Sequence, residues 1–285
     1  MKLITWNIQW GRGVDGRVDL GRIVDHARRL ADFDVLCLQE VSSGYGASEL
    51  AANDRSDQFA VIASSLPGYT AIQGVGTDVP DREGGRRRFG NMILSRFPVM
   101  QVFNHVLPWP ADPGVLSMQR VALEATLDTL LGLIRVTTTH LEYYSAIQRH
   151  AQIERLRQLH AEAVGHARTV PDGEPSDGPF FHPRRAAAAI LTGDCNFLPE
   201  SEDRQLLMKP IDDVIPPYCD AWECLHPGVP HAPTVGLYEK ALWPGPPFTF
   251  DFVFVSDDLK PRLLEIRVDS QSDASDHQPV LLELG

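Results

Sequence analysis

The sequence has no apolar run approaching the roughly 20 residues that a helix needs to cross a bilayer, so no inserted segment is expected. It also lacks the apolar core of a signal peptide near its start. In Met1-Lys2-Leu3-Ile4-Thr5-Trp6-Asn7 the polar Asn7, and then Gln9, interrupt the stretch at once, and a cytoplasmic location is expected. Cysteine is sparse: Cys37, Cys195, Cys219 and Cys224, with no CxxC pair. That argues against a disulfide framework or a zinc knuckle. Cys37 and Cys195 sit in or beside apolar strand-like runs and read as buried thiols. Positive charge is the last shortage, with 26 Lys and Arg against 38 Asp and Glu for a net −12. Duplex nucleic acid is held largely by phosphate neutralisation, so this balance disfavours a general DNA binder. It does not exclude a nuclease in which a local basic loop guides a backbone into an acidic site.

What is there reads as one layered α/β domain over residues 1–285, with no internal repeat or linker. A monomer is expected. Leu3 to Ile8 reads as a buried strand with Asn7 at its polar end. Val18 to Ala31 carries apolar residues at Leu20, Ile23, Val24, Ala27, Leu30 and Ala31, which is helical spacing. Val35 to Leu38 is a short buried strand ending on Gln39-Glu40. Further helices are predicted over Asp57–Leu66 and Ala146–Ala167. Strands are predicted at Tyr69–Gln73, Asn91–Ser95, Val99–Leu107, Arg120–Leu127, Leu133–His140, Ala186–Thr192, Phe250–Val255, Leu263–Val268 and Pro279–Leu284. Segments 42–56, 74–89, 108–119, 170–185 and 226–248 read as loops, the last two rich in Pro and Gly. Helices alternating with pairs of strands point to helices outside a pair of sheets.

The chemistry collects at strand ends. Asn7, Glu40, His140, Asp194 with Asn196, Asp251, and Asp276 with His277 each stand beside a buried run. Strand ends of layered α/β folds face a common crevice, so these groups are expected to converge. Oxygen ligands of this kind suit a hard divalent cation that keeps waters for phosphate oxygens. A phosphodiester needs charge neutralisation, an activated water and help for its leaving oxygen. Arg82, Arg86, Arg87 and Arg88 form the densest basic cluster. Arg88, and Arg120 before a strand, are candidates for contacting substrate phosphate. Tyr143, Tyr144 and Trp109 are candidates for an aromatic wall.

Taken in order, Thr5-Trp6-Asn7-Ile8, Leu38-Gln39-Glu40-Val41, Gly90-Asn91-Met92-Ile93-Leu94-Ser95-Arg96, Thr139-His140-Leu141, Gly193-Asp194-Cys195-Asn196, Phe250-Asp251-Phe252 and Ser275-Asp276-His277-Gln278-Pro279 resemble the endonuclease/exonuclease/phosphatase superfamily. The resemblance covers nearly the whole chain. It implies a four-layer α/β sandwich, two facing mixed β-sheets flanked by helices. It also implies a Mg²⁺-dependent phosphoesterase, with Mn²⁺ as a substitute, in which an activated water attacks a phosphodiester or phosphomonoester in line. On that pattern Glu40 is the principal metal ligand, with Asn7 and Asp276 beside it. Asp194 orients and deprotonates the water, and Asn196 fixes it. His277 neutralises the phosphoryl group with Asp251 behind it, and His140 is a candidate acid. Gln9 stands where repair endonucleases of the superfamily often carry an acid, which weakens a DNA-repair reading. The alternatives are a DNA or RNA nuclease and a non-catalytic binding module on the same fold; the intact polar set argues against the latter.

Overall fold

In the computed structural model, residues 1–81, 84–169, 178, 181 and 183–285 are described, and they build two six-stranded sheets. The first contains β1 (Lys2–Asn7), β2 (Val35–Ser43), β3 (Thr70–Pro80), β4 (Arg86–Ser95), β11 (Leu263–Val268) and β12 (Val280–Leu284), in the spatial order β11-β12-β1-β2-β4-β3. The second contains β5 (Val99–Val106), β6 (Val121–Thr129), β7 (Gly132–His140), β8 (Ala189–Asp194), β9 (Tyr218–Asp220) and β10 (Asp251–Ser256), in the order β5-β6-β7-β8-β10-β9. Both sheets are mixed: β1 pairs parallel with β2, and β7 parallel with β8, while the other pairs are antiparallel.

Each parallel pair requires a crossover, and in each case a helix supplies it. The first is α1 (Leu20–Leu30), the second α3 (Ala146–Arg168). Asp19 starts α1 by accepting the Arg22 N–H, and Ser145 starts α3 by accepting the Gln148 N–H. Ile23, Val24, Ala27 and Leu30 of α1 pack with Phe59 and Ile62 of α2 (Gln58–Ser65) against Ile4, Trp6, Leu36 and Leu38. Ile153 and Leu156 of α3 pack with Leu207 of α4 (Glu202–Met208) against Ala122, Leu191 and Phe252. Between the sheets lie Leu3, Val35, Cys37, Ile93, Leu123, Val136, Ile190, Val253 and Leu282. The alternation along β1 explains the layering: Leu3 joins the core between the sheets, Ile4 and Trp6 the core under α1. Both faces are buried, which is why these strands read as continuous apolar runs. The four-layer sandwich expected from the sequence is what is observed.

Details differ. Strand β2 does not stop at Glu40. It runs on to Ser43 through a register shift between Leu38 and Val41. Segment 74–89 is not a loop in its described part: it is the paired ends of β3 and β4, from Gly74↔Asn91 to Pro80↔Arg86. Alternating Gly, Thr, Asp and Arg hide that pairing from a hydrophobicity pattern. Helix α4, strand β9 and helix α5 (Ala221–Leu225) were not expected either. They are short and stand between Pro-rich turns. Most of the 170–185 segment, and Arg82, lie outside the described residues.

Candidate active site

The four strands of the two parallel pairs deliver polar side chains to one end of the sandwich. Asn7 closes β1 and pairs in register with Gln39 of β2; His140 closes β7 and pairs with Asp194, which closes β8. Strand β10 runs the other way, so its first residue, Asp251, stands opposite Asp194. Glu40 takes a left-handed backbone (φ 59°) at the β2 bulge, as bulged residues next to active sites do. Asn196 also has positive φ (52°), and its N–H donates to Asp194 Oδ1 at 3.0 Å. This is an Asx-type turn, and Asn tolerates the left-handed region better than most residues. Gly193 makes the approach possible: with φ 134°, a Cβ there would lie 1.9 Å from the Thr139 carbonyl oxygen.

Hydrogen bonds stitch the two sheets together around these groups. Asn7 Nδ2 donates to Glu40 Oε1 (3.1 Å) and to Asp194 Oδ2 (2.9 Å). Gln39 Nε2 crosses to Thr138 Oγ1 at 2.8 Å. The Trp6 indole N–H donates to the His277 carbonyl at 2.9 Å, and Ser275 Oγ donates to the Asn7 carbonyl at 2.8 Å. The Trp-Asn pair of β1 thereby fixes the Asp276-His277 segment. A short antiparallel bridge, Val235↔His277, holds it from the other side.

His277 Nδ1 lies 2.8 Å from Asp251 Oδ2, leaving Nε2 to face Asp194 Oδ2 at 3.8 Å. Burial by itself lowers the pKa of His277. The carboxylates of Asp251, Asp194 and Asp276 outweigh it and raise the pKa well above the ordinary range. His140 is the opposite case. Its Nε2 is 3.4 Å from Asp194 Oδ2 and its Nδ1 3.9 Å from Glu40 Oε1. Burial, then Arg120 and His277, hold its pKa well below the ordinary value. One imidazole is built to carry a charge and the other to stay neutral. Burial raises the Asp194 carboxyl to about 6, with Asp251 adding to the rise and His277 opposing it.

Glu40 is pushed to about 7, chiefly by burial and next by the Asp276 carboxylate. Among the described residues neither carboxylate has an Arg or Lys ion-pair partner. Asp276 Oδ2 accepts the Trp243 indole N–H at 3.2 Å, and its Oδ1 the Ser275 hydroxyl at 3.3 Å. Two crowded acidic groups beside the Asn7 amide form the donor set a hard divalent cation fits. Asp194, Asp251 and His277 also each offer a ligand atom within 4.8 Å of one another.

These groups open on a cleft of about 420 Å³, lined by Glu40, Arg120, His140, Asp194, Asn196, Asp276 and His277. Arg120 is brought in: it is buried, with Nε 3.1 Å from Glu142 Oε2. Arg88 is not among the lining residues. Its guanidinium pairs with Asp57 at 3.0 Å, while Arg86 and Arg87 pair with Asp78 and Glu49. Tyr143 and Tyr144 line the cleft, whereas Trp109 stands elsewhere, donating to Ser117 Oγ. Sequence reasoning missed Trp10, Tyr45, Phe89, Met118 and Trp243 on the cleft wall and Glu142 behind Arg120. Trp10, three residues after Asn7, Phe89, directly before Gly90-Asn91, Met118, two before Arg120, and Glu142, two after His140, had a nearby motif or candidate to draw attention to them; Tyr45 and Trp243 had none.

Fold and site together define a phosphoester-cleaving architecture. Residues 4–277 match the Endonuclease/Exonuclease/phosphatase family. The chain belongs to that family, whose members are phosphoester-hydrolysing enzymes. No curated protein matches it by sequence. It is similar to the endonuclease/exonuclease/phosphatase structure from Beutenbergia cavernae, at 25% identity, with 100% of this chain and 72% of that one covered and a TM-score of 0.67. A Neisseria 3′ phosphatase, NExo, bound to product DNA hairpin shares the fold at 19% identity, with 100% and 99% covered and a TM-score of 0.61. So does the Bacteroides thetaiotaomicron mannosyl-6-phosphatase Bt3783 at 17% identity, 100% and 99% coverage and a TM-score of 0.58. No helix among the described residues is long and apolar enough to cross a membrane.

Proposed function

We propose that the chain acts as one domain and is a Mg²⁺-dependent phosphoesterase, with Mn²⁺ as a substitute, that hydrolyses a phosphodiester or phosphomonoester by in-line attack of water. The observation that carries this is the meeting of Asn7, Glu40, His140, Asp194, Asn196, Asp251, Asp276 and His277 around one cleft, joined across two sheets by the bonds of Asn7 and His277. Glu40, Asn7 and Asp276 would hold the cation. When bound, it neutralises phosphoryl charge and lowers the cost of the leaving oxygen.

The side chains do the rest. Asp194, with its carboxyl raised toward neutrality, takes the proton from the attacking water while Asn196 helps to hold that water. His277, kept cationic by Asp251, presents Nε2 to the developing phosphoryl charge. Its charge makes it the better-placed proton donor to the leaving oxygen. The depressed pKa of His140 favours a neutral hydrogen-bonding role for that residue over a role as acid. Arg120 contacts a phosphoryl oxygen. A nuclease is the second reading, since the NExo structure of the same fold holds DNA.

The test is a panel of phosphomonoesters and phosphodiesters with Mg²⁺, Mn²⁺ or EDTA, run beside plasmid, abasic duplex and single-stranded DNA on gels. Turnover of a small phosphoester with inert DNA supports the primary reading. Cleaved DNA supports the second, and inertness toward every substrate removes both.

A further inference from the structure

Six aromatic side chains line the cleft. Three form one connected group: Tyr143 meets Tyr144 at 4.8 Å between ring centroids and Trp243 at 6.1 Å, both edge to face. Phe250 and Phe248 back this group, at 6.0 Å from Tyr143 and 5.4 Å from Trp243 respectively. Tyr45 and Phe89 form a second group, edge to face at 6.3 Å. Trp10 is anchored through its indole N–H to the Ala51 carbonyl at 3.0 Å. Tyr143 and Tyr144 keep 39% and 65% of their surface exposed. Rings that merely fill a core are not left facing open space beside catalytic carboxylates.

Charge is arranged differently. Arg120 is the only arginine or lysine among the described residues lining the cleft, and Glu142 already engages its Nε. The nearby arginines of β4 are neutralised by Asp78, Glu49 and Asp57. A polyphosphate or a long nucleic-acid backbone would bring many negative charges to a wall with one guanidinium on a chain of net charge −12. A single phosphoryl group is matched by Arg120 and a divalent cation. Trp243 also ties the two halves together, because its indole N–H bonds Asp276 Oδ2 at 3.2 Å. The aromatic wall therefore stands a fixed distance from the acidic centre.

We infer that the substrate is a phosphoester with one phosphoryl group and one planar aromatic group, an aryl ring or a nucleobase. The phosphoryl meets Arg120, and the ring lies against the group formed by Tyr143, Tyr144 and Trp243. This rests on the phosphoesterase reading above and narrows it. Stacking gains depend on the face of the ring and are tolerant of its identity, so the two sources share one chemistry.

The experiment is calorimetric binding to the Asp194→Ala variant in Mg²⁺, with phenylphosphonate against methylphosphonate and adenosine monophosphate against ribose 5-phosphate. The aromatic member of at least one pair is expected to bind about tenfold tighter or more. A preference in the first pair alone assigns an aryl ring, and a preference in the second alone a nucleobase. Tyr143→Ala and, separately, Tyr144→Ala should shrink the ratio toward one. Equal binding in both pairs, or inositol hexakisphosphate binding tighter than every aromatic probe, overturns the inference. Turnover assays of the unmodified chain keep the two readings apart. Turnover with equal binding overturns only the aromatic preference, and inertness toward all phosphoesters overturns the phosphoesterase reading itself.

Discussion

Arg120 and Glu142 form a buried ion pair at the wall of the cleft, with Nε 3.1 Å from Oε2 and Nη1 without a hydrogen-bond partner among the described residues. Glu142 is itself pinned: its Oε1 accepts the Tyr144 N–H at 3.0 Å and its own N–H donates to Gln152 at 2.9 Å. The pair thus aims a guanidinium edge from a rigid mount.

Removing one partner leaves a buried charge unpaired. Arg120→Ala is expected to cost about 3–5 kcal/mol in urea unfolding and to raise KM for a small phosphoester. Arg120→Ala combined with Glu142→Ala should recover part of the stability but none of the KM. Independent, additive losses in the double variant would argue against the pairing.

Asp251→Asn keeps the shape at the back of His277 but removes the charge that holds the imidazole. The expected result is a fall in kcat of about 10- to 100-fold with an unchanged far-ultraviolet spectrum. Near-wild-type kcat would separate Asp251 from the chemistry. Asp194→Ala and His277→Ala should abolish turnover outright.

Metal dependence addresses the other half of the site. EDTA should stop turnover, and Mg²⁺ or Mn²⁺ should restore it. Glu40→Ala should shift the activating metal concentration upward by about tenfold or more, since it would remove a proposed ligand of the cation. An unchanged metal titration would take Glu40 out of the ligand set.

A second buried network, around Glu124, Arg135 and His160, makes its own contribution to acid sensitivity. Burial opposes ionisation of Glu124, yet His105, Arg135 and Arg185 bring its pKa down to about 2. Its contribution is full above the ordinary glutamate value and is lost as pH falls toward 2. Burial, then Arg135, lowers His160 to about 4. The unfolded chain therefore binds a proton at His160 before the folded one does, and stability is again lost as pH falls, here from about 6.5 to 4. Both signs agree. From pH 7 to pH 4 the His160 contribution to the unfolding free energy from urea melts should decline by about 3 kcal/mol, against the opposite contributions of the raised Glu40 and Asp194 carboxyls. His160→Gln should flatten the upper part of that decline.

Gly193→Ala tests the packing of β7 against β8. The added carbon meets the Thr139 carbonyl, and the φ of 134° is one that L side chains rarely adopt. A loss above about 3 kcal/mol is expected, with activity falling in parallel because Asp194 is the next residue.

Much of this was legible in the sequence because the informative residues travel with their strands. Asn7 follows an apolar run, Asp194 and His140 end one, and Asp251 begins one, so order along the chain carried both sheet position and chemistry. Glu40 stands out by its motif, but its local geometry does not, since a bulge inside β2 has no hydrophobic signature. The cleft wall was harder to read. Tyr45, Phe89 and Trp243 reach it from three distant segments, and Trp243 stands within a Pro- and Gly-rich stretch with no periodicity to interpret. Arg88 looked available because its partner Asp57 lies thirty-one positions away.

The Asn7–Asp194 bond joins β1 of one sheet to β8 of the other, and the His277–Asp251 bond joins the segment leading into β12 to β10, so the site is a seam, complete only while the two halves are docked. Within each half the strands are hydrogen-bonded to one another and not to those of the other half. Catalysis is therefore a gauge of docking: in mild urea, turnover should fade while strand content persists, and the interval between the two would measure how firmly the sheets are closed upon each other.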